Sequence, residues 1–190
     1  MSGKAVILCA PSGSGKTTLA KFLLSNEKLN LKFSVSATTR EMRINEQDGI
    51  DYTFLEINNF KNKINNGEFI EYEEVYHNVF YGTLNSEIDR IWKNGKTILL
   101  DMDVKGGLKI KSIFKKKALS IFIKPPSIKS LDNRLAKRAL DTQKSIQERL
   151  KKSEFELGYA EEFDIVLENK DLDKTKNEAF RIVSEFIEGK

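Results

Sequence analysis

Residues Ala10-Pro11-Ser12-Gly13-Ser14-Gly15-Lys16-Thr17 constrain this chain more than any other stretch. They follow the apolar run Ala5-Val6-Ile7-Leu8-Cys9, which suits a buried parallel strand. They precede Thr18-Leu19-Ala20-Lys21-Phe22-Leu23-Leu24, whose apolar residues recur at helical spacing. A glycine-rich turn from strand to helix is a cradle for phosphate. Gly13 and Gly15 let the main chain bend with its N–H groups inward, and the helix adds its positive N-terminal end. Lys16 reaches the terminal phosphates and Thr17 offers its hydroxyl to a magnesium ion. The pattern usually opens on glycine; here Ala10 stands there, small enough for the loop to close.

A length of 190 residues fits one folding unit, and no apolar run approaches the roughly 18 residues that span a bilayer. With Met1-Ser2-Gly3-Lys4 leading straight into the first strand, the expectation is a cytoplasmic protein without a signal sequence. Cys9 is the one cysteine and reads as a small buried apolar residue. The charge balance of +4 is spread along the chain, so clusters such as Lys151-Lys152 read as solvated surface and no nucleic-acid partner is indicated.

Beyond the first helix, Phe33-Ser34-Val35-Ser36 alternates like a half-buried strand. Arg40 and Arg43 follow, beside Thr38 and Thr39; forked guanidinium donors match phosphate oxygens, although surface arginines in a charged loop would look the same. A short strand over Gly49–Leu55, a helix marked by Ile57, Phe60 and Ile64, and strands at Phe69–Tyr72 and Val79–Thr83 make a small mixed lobe. Glu71 shares a face with Phe69 and needs a partner if buried. His77 lies in a polar turn and reads as exposed. The chain then returns to regular α/β structure with a helix over Leu84, Ile88, Ile91 and Trp92 and the strand Thr97–Asp101, whose closing carboxylate suits magnesium held through water. Asp103 either points the same way as Asp101 or caps a turn at Val104-Lys105-Gly106-Gly107. A strand at Leu119–Ile123 ends at Pro125-Pro126. Two helical patterns then carry Arg134, Arg138 and Arg149, which fits a closing lid and equally an ordinary basic hairpin. The strand Asp164–Leu167 and a last helix with Ala179, Ile182, Val183 and Phe186 complete the chain.

Taken in order, the phosphate loop, Phe33–Ser36 running into Thr38-Thr39-Arg40 and Arg43, Gly49-Ile50-Asp51-Tyr52, Phe69-Ile70-Glu71, Tyr81-Gly82-Thr83, Leu100-Asp101-Met102-Asp103, the arginine-bearing lid and Asn169 resemble the guanylate kinase family over essentially the whole chain. The resemblance implies an α/β P-loop NTPase fold: a parallel β-sheet flanked by helices, with an inserted mixed α/β GMP-binding lobe and a helical lid. It implies one domain, with a core of residues 1–32, 84–124 and 160–190, a lobe of 33–83 and a lid region of 125–159.

It further implies transfer of the γ-phosphoryl group of ATP to GMP with Mg2+, the rival being a non-catalytic module that binds phosphopeptides. By resemblance Lys16, Arg43, Arg138 and Arg149 are catalytic. Pro11, Ser12, Gly13, Ser14, Gly15, Lys16, Thr17, Thr18, Arg138 and Asn169 hold ATP, with Asn169 near the adenine. Ser36, Arg40, Arg43, Tyr52, Glu71, Tyr81, Thr83, Asp101 and Asp103 hold GMP, and Thr17 and Asp101 hold the metal, the latter through water. The expected partners are GMP and ATP, with no nucleic acid or membrane; monomer and homodimer both stay open. The chain departs from the family pattern at Ala10, at Lys105, in a turn at His77-Asn78-Val79-Phe80 that is one residue longer, and in a less acidic lid run over 139–144.

Overall fold

In a computed structural model of the chain, which describes residues 3–128, 130–131 and 143–189, the first apolar run becomes β1 (Ala5–Cys9), buried at every position. It lies at the centre of a parallel sheet ordered β2 (Leu31–Phe33), β7 (Thr97–Met102), β1, β8 (Ala118–Lys124), β9 (Ile165–Glu168). A strand covered on both faces has no use for polar alternation, which is why β1, β7 and β8 read as continuous apolar runs. Successive side chains still divide between the faces. Val6 and Leu8 pack with Leu19 and Leu23 of α1 (Lys16–Ser25) and with Ala179 and Val183 of α6 (Leu172–Glu188). Ala5, Ile7 and Cys9 pack with Ile88 and Ile91 of α3 (Asn85–Lys93) and with Ile110 and Phe114 of α4 (Val104–Phe114).

The sequence offers Val104-Lys105-Gly106-Gly107 as a turn only in the alternative where Asp103 caps it, and marks no helix there. The structure makes it the first turn of α4, an 11-residue helix. Gly107 sits where packing forbids a side chain, since a Cβ there would lie 2.4 Å from Cys9 Sγ, and one on Gly106 would be tight against Glu71 Oε2 at 3.3 Å. The helix therefore approaches the sheet more closely than an alanine would permit, at the usual cost of glycine in a helix. Asp103 begins it, accepting a hydrogen bond from the Gly106 amide at 2.9 Å, so the capping alternative for Asp103 is realised.

Between β2 and α3 the chain forms a second sheet, ordered β4 (Thr53–Phe54), β3 (Ala37–Thr38), β6 (Val79–Leu84), β5 (Phe69–Tyr76), with α2 (Ile57–Asn65) packed beside it. Its own small core is Ala37, Phe60 and Phe80, with Phe69 stacked on Phe60 at 4.3 Å. Two strands differ from their expected patterns: the one expected at Phe33–Ser36 lies earlier, at Leu31–Phe33, and of the one expected over Gly49–Leu55 only Thr53–Phe54 is extended. β2 stops at Phe33, because residues 34–36 leave the central sheet and β3 joins the second one at Ala37. Residues 49–52 fold back instead of extending: Gly49 has φ +75° and its amide bonds the Tyr52 carbonyl. β5 is longer than expected, and its pairing with β6 shifts register between Glu74 and Tyr76. In the turn that follows, Asn78 has φ +61° and His77 is exposed.

Of the lid region, the second helix is α5 (Gln143–Leu157). Arg134 and Arg138 lie outside the described residues, as does the side chain of Arg149. Among the described residues no helix is long and apolar enough to cross a membrane.

Candidate functional site

The turn after β1 wraps around a cavity of about 500 Å³. Gly13 and Gly15 have φ +86° and +97°, so this path is closed to ordinary side chains, whereas Ala10 keeps negative φ and fits without strain. Ala10, Pro11, Ser12, Gly13, Gly15, Lys16, Thr17 and Thr18 line the cavity, while Ser14 is fully buried with its hydroxyl unpartnered. The loop closes through the Ser14 amide on the Pro11 carbonyl at 3.1 Å. From behind, the Asn169 amide nitrogen donates to the Ser14 carbonyl at 2.7 Å, and a Cβ on Gly15 would stand 2.5 Å from that nitrogen. Asn169, just past β9, thus touches the cradle's main chain and is 4% exposed. Nothing in its sequence neighbourhood signals that contact, because its partner is 155 residues away.

At the cavity floor Lys16 pairs with Asp101 and donates to the Met102 carbonyl at 2.9 Å. Burial works against the ammonium charge, but Asp101 outweighs it and holds Lys16 above the ordinary lysine value. Thr17 and Asp101 both face the cavity. Among the described residues no group of three metal-binding side chains exists. A hydroxyl and one carboxylate nonetheless fit magnesium, which keeps waters and takes most of its oxygens from substrate phosphates.

A second cavity, about 340 Å³, opens beside the first under the inserted lobe. Lys16, Ser36, Arg43, Tyr52, Asp101, Asp103 and Lys152 line both, so the two spaces share a wall. Glu71 lines the second and not the first, together with Tyr81, Gly82 and Gly106. Its carboxylate is 5% exposed and accepts the Thr83 hydroxyl at 2.7 Å. Burial raises its pKa, which the Thr83 bond only partly offsets. Gly106 leaves room beside this carboxylate, since a Cβ there would come within 3.3 Å of Glu71 Oε2.

Of the expected phosphate ligands, Ser36, Arg43 and Tyr52 stand on the shared wall and Tyr81 lines the second cavity. Arg40 does not line either cavity. Its guanidinium forks onto Glu46 with two 2.8 Å bonds, its Nε donates to the Tyr81 hydroxyl at 3.2 Å, and it lies over the Tyr52 ring. Glu46 also accepts the Arg43 amide at 2.9 Å, so one carboxylate folds the arginine loop into a ring. Hydrogen bonds from Arg40 and Arg43 hold the Glu46 carboxyl down at about 2. Sequence reasoning does not single out Glu46; an acid six residues after Arg40 and three after Arg43 is the available signal.

Sequence reasoning also overlooks two residues of α5. Glu156 is 7% exposed at the first cavity, where burial pushes its carboxyl up to about 7 against the pull of Lys152 and Lys16, with Asp103 adding to the rise. Lys152 lines both cavities, 4.0 Å from Glu156.

The family described as guanylate kinase matches residues 2–188. The chain is 46% identical over 184 residues to a guanylate kinase of Bacteroides fragilis, covering 97% of this chain and 90% of the relative. It is 45% identical over 184 residues to a guanylate kinase of Porphyromonas gingivalis, covering 97% and 98%. Among solved structures, that of guanylate kinase from Anaplasma phagocytophilum superposes with a TM-score of 0.75 at 32% identity, covering 95% of this chain and 84% of that one.

Proposed function

The chain belongs to the guanylate kinase family, and from that premise we propose how its joined cavities carry out phosphoryl transfer from ATP to GMP, giving ADP and GDP. The single observation that carries this reading is the shared wall: a phosphate cradle and a carboxylate-ended pocket meet across Lys16, Arg43 and Asp101.

ATP places its phosphates in the loop of residues 10–18, under main-chain N–H groups and the N-terminus of α1. GMP places its base against Glu71. Guanine presents N1–H and its exocyclic amine as adjacent donors, which one carboxylate accepts together; adenine presents a lone pair at N1, which Glu71 repels. A buried carboxylate left without donors is costly, and the site discriminates by that cost. The phosphate of GMP is held by Ser36, Arg43, Tyr52 and Tyr81, with Arg40 and Glu46 bracing the loop.

An oxygen of the GMP phosphate then attacks the γ-phosphorus in line. The bond from that phosphorus to the β–γ bridging oxygen breaks, and ADP leaves. The attacking oxygen is already anionic, so no protein base is needed, and positioning supplies most of the rate. Lys16 and Arg43 neutralise the charge spread over the transferred group, and we assign Arg138 and Arg149 to the same task as the lid closes. Thr17 and Asp101 would hold Mg2+, which when bound neutralises the β- and γ-oxygens. Division into a core of residues 1–32, 84–124 and 160–190, a GMP lobe of 33–83 and a lid of 125–159 goes with this mechanism. A phosphopeptide-binding module would have no use for the complete Gly15-Lys16-Thr17 cradle.

Coupled measurement of ADP release from ATP and magnesium, with GMP, AMP, UMP and dTMP offered separately, tests the reading. GMP is the expected acceptor. Preference for AMP, or silence with all four, overturns it.

A further inference from the structure

Among the described residues, three cations line both cavities, each from a different part of the fold: Lys16 from the cradle, Arg43 from the inserted lobe and Lys152 from α5. The first two stand in recognisable motifs. Lys152 does not; in the sequence it is half of a lysine pair that looks like solvated surface. Its side chain is 49% exposed, and Glu156, one turn along the same helix, is the partner at 4.0 Å, beyond hydrogen-bonding distance. Glu73 at the end of the acceptor cavity also feels its charge. A lysine held this loosely is free to exchange a carboxylate for a better anion, and the space it borders is where the donor's terminal phosphate and the acceptor's phosphate must meet.

We propose that Lys152 is a further catalytic residue of the transfer, resting on the kinase reading above: with both nucleotides bound, its ammonium leaves Glu156 and contacts oxygens of the phosphoryl group in flight. α5 then contributes a cation of its own to the transition state, one turn from Arg149. The contact exists only when both cavities are filled, so it lowers the barrier without tightening either nucleotide alone.

Lys152→Met and Lys152→Arg, made in the full chain, test this. The expected result for Lys152→Met is a kcat lower by about tenfold or more, with KM for GMP and for ATP changed by less than about threefold, and Lys152→Arg recovering most of the loss. A bisubstrate probe, adenosine and guanosine joined 5′ to 5′ through five phosphates, should bind Lys152→Met about tenfold more weakly, while GMP alone binds as before. A role confined to helix stability would lower the melting temperature of the unliganded protein and leave probe affinity unchanged. Equal probe affinity in parent and Lys152→Met, or a kcat within about twofold of the parent, overturns the proposal. Parental turnover with GMP reports separately on the kinase reading, and the ratio of probe affinities decides Lys152 even if that turnover is absent.

Discussion

Glu71 shows how one side chain carries a specificity that its surroundings enforce. Buried, with hydrogen bonds from the Thr83 hydroxyl and amide, it keeps lone pairs for two further donors, and guanine has them side by side. Replacing it by Gln puts an N–H₂ or a single acceptor against the same two donors. Glu71→Gln should lower kcat/KM for GMP by roughly a hundredfold while ATP affinity, read by calorimetry, holds; equal losses for both nucleotides would remove Glu71 from base reading. Glu156 makes a different prediction. Burial raises its carboxyl to about 7, above its unfolded value, so between roughly pH 4.5 and 7 the folded protein keeps a proton that the unfolded chain releases. Stability from this group is therefore lost as pH rises through that window, by at most about 3 kcal/mol. Urea melts across the window should show the decline in the parent, and Glu156→Gln should flatten it.

Among the elements, α4 is the one whose sequence is least like its structure. Two adjacent glycines look like a turn, yet they lie in a helix pressed onto the central sheet, and Cys9 fills the space a Gly107 side chain would need. Gly107→Ala should destabilise the protein by about 1–3 kcal/mol through overpacking, despite alanine's better helix propensity. Cys9→Ala combined with Gly107→Ala should recover most of that loss in thermal melts, because the collision is gone. The arginine loop is the complementary case. Arg40 and Arg43 were visible as a pair, but only the fold shows that Glu46 divides their labour, keeping Arg40 as a brace and turning Arg43 to the cavity wall.

At the scale of the whole molecule, the cradle and the base pocket belong to different sheets, one parallel and central, the other small and inserted. Separate construction predicts separable function. Lys16→Ala should abolish turnover by removing a cation from the shared wall, yet leave GMP affinity within about threefold of the parent by calorimetry, since the base and acceptor phosphate are held from the inserted lobe. A collapse of both would mean the pockets do not fold independently.

The cradle, the apolar strands and most of the helices are determined locally, by glycine freedom and by the period at which apolar residues recur, so they can be read directly from the chain; α4, opened by two glycines, cannot. Glu71 and Asp101 stand out as carboxylates interrupting or closing apolar runs. What only the tertiary structure decided were contacts between residues far apart in sequence: Asn169 against the Ser14 carbonyl, Gly107 against Cys9, Lys152 at a wall shared with Lys16 and Arg43. No local pattern encodes these, because a side chain's partner across the fold is set by how helices and sheets pack, and packing is a property of the assembled whole.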